Sequence, residues 1–263
     1  KHATKINKID LLPLGNIDSL ITSNSTIDKR RAFFRFFLNE ISNLIFPNLC
    51  LTCERELLTD EHNICSFCML EIHLIYFDFS TQENTLDKLF WGRVKVHTAF
   101  ALFYFEKGTR EQKILHELKY GFKAQLGVQL GKWMGNDWLQ KNQNLKIDAF
   151  IPVPIHSRKK FNRGYNQSEQ LAKGIASILN VPVDCNFIRK IKNTKSQTKK
   201  SIFHRRINVE NVFKLNKKWC QYKHIVLVDD VVTTGATLEA LIAIINKRYP
   251  ALEISIFVLA MAK

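Results

Sequence analysis

The chain has 263 residues, 39 Lys/Arg against 24 Asp/Glu for a formal net charge of +15, and 46% apolar residues. That length suits one large domain, or a medium domain with a small module, and an average apolar content with only 10 Gly and 6 Pro excludes a disordered, collagen-like or low-complexity chain. The longest uncharged apolar run, Ile254–Ala262, is about half the roughly 20 residues a bilayer crossing needs, so no membrane span is expected.

The charge is unevenly placed. Residues 156–218 hold 16 Lys/Arg and only three acids, Glu169, Asp184 and Glu210, which predicts a central segment facing an anion rather than a uniformly basic surface. The start of the sequence shows no signal-peptide pattern and no initiator Met, and six cysteines in that context predict reduced thiols and a cytoplasmic location.

Residues 1–32 mix Ser, Thr, Asn and Lys with scattered Leu and Ile in no sustained period and are expected to be a poorly ordered extension. Phe34, Phe37, Leu38, Ile41 and Ile45 then fall on one helical face that ends before Pro47; docking on a neighbouring core is expected, with a membrane-surface helix as the alternative. Together with the cysteine module that follows, this helix defines a unit over 33–80, and 90–263 forms a second domain.

In the cysteine module, Cys50-Leu-Thr-Cys53 and Cys65-Ser-Phe-Cys68 form two CxxC knuckles, whose four soft thiolates can converge on one zinc ion. So short a module has too little core to fold without the metal, and four sulfur ligands leave no open position, so the zinc would be structural. Two disulfides, or a redox CxxC, are the alternatives.

His97–Phe105 reads as a strand, and Glu111–Leu139 as a helix interrupted around Tyr120-Gly121. Gly127, Gly131 and Gly135 lie four apart, as close packing of a helix on a sheet would require. Strands are predicted over Asp148–Pro154, Phe187–Lys192, His224–Asp229 and Glu253–Ala262, with helices over Asn166–Leu179 and Thr237–Lys247. The alternation predicts an α/β fold: a mostly parallel sheet flanked by helices, with a small N-terminal zinc ribbon. In such sheets ligands bind beyond the carboxyl ends of the strands.

One segment carries the chemistry. In Ile225–Ala240 (IVLVDDVVTTGATLEA) a buried strand ends on Asp229 and Asp230, and the small residues Thr233, Thr234, Gly235, Ala236 and Thr237 open a helix. Small residues let backbone N–H groups reach a phosphate at a helix N-terminus, and the carboxylates can accept sugar hydroxyls or help hold magnesium, so a phosphorylated ribose satisfies the whole arrangement. A tight turn with a double-Asp cap is the alternative. No GxxxxGK[ST] or strand-linked GxGxxG occurs, which removes P-loop and dinucleotide sites.

The segment resembles the phosphoribosyl pyrophosphate (PRPP) loop of type I phosphoribosyltransferases. With the four-Cys ribbon, the LKY of Leu118-Lys119-Tyr120 and the run IPVPIHSRKKFNRGYNQ over 151–167, the chain resembles the ComF family of competence-associated proteins from about Phe33 to Lys263. The resemblance implies PRPP binding by Asp229, Asp230, Thr233, Thr234, Gly235, Ala236 and Thr237. It also implies a pyrophosphate loop of Pro154, Ile155, His156, Ser157 and Arg158, and a hood loop over 192–206 carrying Lys195, Lys199, Lys200 and Arg205. Magnesium would accompany PRPP, and Lys119 would either contact the site or serve only to place Tyr120 in the core. Two functions follow: transfer of ribose 5-phosphate to a nitrogen acceptor, or a non-catalytic PRPP sensor or single-stranded-DNA-binding competence factor acting with DNA-uptake proteins. In the second, Phe161, Tyr165 and Phe203 would stack bases, and the ribbon would contact a partner or DNA.

Overall fold

The computed structural model describes residues 47–75, 85–141, 145–192, 212–216 and 222–263. The extension over 1–32, the helix expected over Phe34–Ile45, and Lys195, Lys199, Lys200, Arg205 and Phe203 lie outside the described residues. Residues 49–263 form one compact unit.

Its elements run α1 (Ser66–Leu70), α2 (Thr85–Lys88), β1 (Ala99–Phe105), α3 (Arg110–Tyr120), α4 (Ala124–Lys141), β2 (Ala149–Pro152), α5 (Ser157–Arg163) and α6 (Gln167–Leu179). They continue with β3 (Ile188–Lys190), β4 (Phe213–Leu215), β5 (His224–Val232), α7 (Ala236–Arg248) and β6 (Glu253–Ala262). Four strands pair in parallel in the order β1-β6-β5-β2.

The strands are near-continuous apolar runs because both faces of the sheet are covered. Alternate residues point to opposite faces. Phe100, Leu102, Val226, Val228, Phe257 and Leu259 pack with Leu126, Leu130, Met134 and Trp138 of α4 and Leu171 and Ile175 of α6. Their neighbours Ala99, Ala101, Ile225, Leu227, Ile256 and Val258 pack with Leu86 and Phe90 and with Leu238, Leu241, Ile242 and Ile245 of α7.

Two expectations need correction. The Phe187–Lys192 segment does not join the parallel sheet; β3 instead pairs antiparallel with β4. The glycine ladder of α4 packs on helix α6 and not on the sheet: a Cβ on Gly131 would lie 2.2 Å from the Leu171 carbonyl oxygen, and one on Gly174 would lie 2.2 Å from that of Val128. Two glycine faces let these backbones touch, which carries α6 toward the end of β5.

The cysteine module is attached to the same core. Past α1 the chain runs antiparallel beside β1, with Ile75 N–H donating to Leu102 O at 2.9 Å and Tyr104 N–H to His73 O at 3.0 Å, so an otherwise open sheet edge is covered.

Candidate functional site

In the cysteine module, the Sγ atoms of Cys50, Cys53, Cys65 and Cys68 all lie within 4.8 Å of one another, and Cys53 and Cys65 are 3.7 Å apart. Tetrahedral zinc with bonds of about 2.3 Å needs sulfurs just under about 4 Å apart, whereas a disulfide needs about 2.05 Å. All four are free thiols, so the donor set fits a metal and not the disulfide alternative. Burial would raise Cys50, but hydrogen bonds from the Thr52 hydroxyl and from the backbone of Cys53, Cys65 and Thr52 bring it down to about 5. Cys68 is pushed up to about 12, chiefly by burial. A divalent metal would let all four thiols ionise together.

Glu61 organises the second knuckle. Its carboxylate accepts from Leu58 N–H at 3.0 Å and from Ser66 N–H and Oγ at 2.7 Å each, and the backbone bonds hold it down at about 2.

The second cluster lies at the carboxyl ends of β2 and β5. Asp229 Oδ1 accepts from Ser168 Oγ at 3.0 Å and from Asp230 N–H at 2.9 Å, and Lys119 Nζ lies 3.3 Å from Asp230 Oδ2. Burial, and then the neighbouring Asp230 carboxylate, push Asp229 up to about 7, against the lowering effect of Asp230 N–H, Ser168 and Lys119. Lys190, at the end of β3, feels the charge of Asp229 and is itself lowered by burial and by Lys159. The strand ends are joined where Val153 N–H donates to Val228 O at 2.8 Å.

The loop Thr233–Thr237 turns through Gly235, which has φ +70° and caps α7. A Cβ there would lie 2.9 Å from Phe90, and Arg93 donates to Thr234 O at 3.1 Å and pairs with Glu239. A helix N-terminus of this kind presents backbone N–H groups that can take an anion.

Residues 166–263 match the phosphoribosyl transferase domain family. The chain is similar to Competence protein F of Haemophilus influenzae, to which it is 35% identical over 111 residues, 41% of this chain and 48% of that protein. DNA utilization protein YhgH of Salmonella typhi is 31% identical over 128 residues, 48% and 56% of the two chains. Competence protein ComFC of Bacillus subtilis is 30% identical over 111 residues, 42% and 43%. The chain thus spans about half the length of the curated relatives it matches. Among solved structures, an adenine phosphoribosyltransferase from Saccharomyces cerevisiae is similar over 53% of this chain and 68% of its own, at 17% identity and a TM-score of 0.31, too low to carry any argument about the site.

The basic run ahead of the matched residues is built differently from the loop expected. Only Pro154, Ile155 and His156 are loop; Ser157 and Arg158 open helix α5, capped where Arg158 N–H donates to His156 Nδ1 at 3.2 Å. Phe161 is 88% exposed, whereas Tyr165 is buried with its hydroxyl donating to Leu118 O at 2.7 Å, so Tyr165 is not available for stacking. Tyr120 and Phe122 are also exposed, and the Arg163 guanidinium lies 5.3 Å over the Tyr120 ring. Of the two readings of LKY, contact with the site is therefore the one the geometry supports.

Four contributors escaped the sequence reading: Ser168, Lys190, Phe90 and Arg93. Ser168 stands just past the noticed GYNQ run, but a lone Ser, Lys, Phe or Arg carries no local signal of the loop it will meet. Asn166 Oδ1 and Gln167 Nε2, also at this corner, are buried without a partner among the described residues, capacity that a polar ligand can use. A further group, His97, His224 and Glu253, lies at the amino ends of β5 and β6, away from this site. His224 there uses both ring nitrogens on Lys146 O and Ser255 Oγ and is a core residue.

Proposed function

We propose that the chain binds PRPP with magnesium at the carboxyl ends of β2 and β5. Ribose hydroxyls would donate to Asp229 and Asp230, while the 5′-phosphate would take the N–H and hydroxyl groups of Thr233, Thr234, Gly235, Ala236 and Thr237. The pyrophosphate would meet Pro154, Ile155, His156, Ser157 and Arg158, with Lys195, Lys199, Lys200 and Arg205 closing from the hood. Magnesium, when bound, neutralises pyrophosphate charge. The four thiols would hold zinc structurally, and their reduced state suits a cytoplasmic location. The layout is then an extension over 1–32, a helix and zinc ribbon over 33–80, and the phosphoribosyltransferase-like domain over 90–263.

One observation carries the reading. A carboxylate pair, partnered by lysine, directly precedes a glycine-hinged loop that opens a helix, with a second basic segment rising from the adjacent strand. Displacement of pyrophosphate through an oxocarbenium-like centre asks the protein mainly for positioning and charge neutralisation, which this arrangement offers. The reaction class is transfer of ribose 5-phosphate to a nitrogen acceptor. Calorimetry with PRPP and magnesium tests it: binding by the wild type, abolished in Asp229→Asn/Asp230→Asn, is expected, and absence of heat in the wild type defeats the reading. Turnover with a panel of bases and amines separates an enzyme from a sensor.

A second reading, binding of single-stranded DNA, is favoured by the exposed Tyr120, Phe122 and Phe161 among Lys119, Lys123, Arg158, Lys159, Lys160 and Arg163. The ribbon is a poor DNA contact, because Glu54, Glu56, Asp60, Glu61 and Glu71 outweigh Arg55 there. Filter binding across a salt series should show steeply falling affinity; a flat response rejects this reading.

A further inference from the structure

Two motifs singled out in the sequence, LKY and RGYNQ, remain without a role in PRPP contact, and they meet in space. Leu118 gives its carbonyl to the Tyr165 hydroxyl at 2.7 Å, and Tyr120 lies under the Arg163 guanidinium. Arg163 in turn donates to Gln167 Oε1 at 2.9 Å, and Asn166 Nδ2 donates to Val153 O at 3.1 Å, just before the basic segment. The interlock ends on the acidic pair from both sides, through Lys119 on Asp230 and Ser168 on Asp229.

We propose that Lys119 is the resident counter-ion of the Asp229/Asp230 pair, held in register by the interlock of residues 118–120 with residues 163–168, and that it turns to the pyrophosphate when ribose hydroxyls take its place. Two adjacent carboxylates at a buried strand end repel each other and lose hydration, so an empty site needs a cation to keep them ionised and in place. Lys119 is three-quarters buried and its ammonium is 3.3 Å from Asp230. Among the described residues, the charged groups that act on the pair are Lys119 from α3 and Lys190 from β3, and Lys159 of α5 acts in turn on Lys190. Of the two lysines that act on it, only Lys119 makes an ion pair with it among the described residues. A ribose hydroxyl donating to Asp230 Oδ2 would compete with Lys119 for that oxygen, so ligand entry there exchanges one donor for another and frees an ammonium beside the anion.

The first half of this stands without a ligand; the second rests on the PRPP reading. A double-mutant cycle on the full chain without PRPP tests the first. Lys119→Met is expected to lower the thermal midpoint by roughly 2–4 °C, Asp230→Asn to make that loss disappear, and Lys119→Arg to retain most of the wild-type midpoint. Additive losses in the cycle overturn the counter-ion role, because lost packing of the lysine stem alone would add. Tyr165→Phe should weaken the Lys119–Asp230 coupling without abolishing it, and unchanged coupling overturns the interlock. Calorimetry tests the exchange: Lys119→Met should weaken PRPP about tenfold or more while changing ribose 5-phosphate little. Equal losses for both ligands overturn the exchange. If the wild type gives no heat with PRPP while the cycle shows coupling, the PRPP reading and the exchange with it fail, and the counter-ion role stands.

Discussion

At Gly235 two independent demands fall on one residue. The loop needs a left-handed turn at φ +70°, and Phe90 needs the space a Cβ would fill. The conformational demand alone costs an L-residue about 1–2 kcal/mol, and the Phe90 contact adds to it, since that ring is fixed in the core beneath the loop. Gly235→Ala is therefore expected to lower the melting temperature by several degrees and to weaken PRPP binding more than its stability loss explains. Phe90→Leu in the same background should recover only part, because it relieves the contact and not the backbone. A Gly235→Ala variant that melts and binds like wild type would contradict both arguments. The small-residue turn opening a helix was readable in the sequence. Phe90 was not, because nothing local to Phe90 records that it will lie under a turn formed so much later in the chain.

At the scale of elements, the contact of α4 with α6 decides where Ser168 stands. Gly131 and Gly174 are in mutual contact: a Cβ on either would come within 3 Å of the other's Cα, besides striking the carbonyl oxygens of Leu171 and Val128. Alanine at Gly131 gains about 1 kcal/mol in helix propensity, but the obstacle is backbone, which cannot rotate aside. The net effect should be destabilisation of about 2 kcal/mol or more, read by denaturant titration, with Ser168 drawn away from Asp229. Gly135→Ala is expected to be milder, since its Cβ would lie 2.9 Å from Ile178 Cβ rather than 2.2 Å from a carbonyl oxygen; if it costs as much as Gly131→Ala, the backbone-contact argument fails. The four-residue glycine spacing announced close approach but not its partner, because that partner depends on one glycine inside a second helix. The same limit affected β3, whose apolar residues read as a parallel strand. Its antiparallel pairing with β4, three residues long, is a property of two segments together. Strands β1, β2, β5 and β6 were legible because burial on both faces leaves continuous apolar runs.

At the scale of the whole molecule, the cysteine cluster is part of the core that supports the acidic pair. Cys50, Cys65 and Cys68 are buried in the same cluster as Phe100, Leu115, Leu118 and Trp138. Lys113 of α3 donates to Thr52 O at 3.1 Å, and His73–Ile75 complete the edge of β1. Since Lys119 stands at the far end of the same α3, one helix contacts both the cysteine module and the acidic pair. Removing a metal from four thiols, three of them buried, leaves their charge uncompensated, and the loss should spread along α3 and β1 instead of stopping at the knuckles. About one zinc per chain is expected by metal analysis after anaerobic purification. Chelation, or Cys65→Ser, should lower the unfolding midpoint of the sheet itself and raise hydrogen exchange in β1 and α3 as well as in residues 50–68. A module merely tethered to the domain would behave otherwise: chelation would melt the ribbon alone and leave exchange in α3 and the affinity of the acidic pair for PRPP untouched.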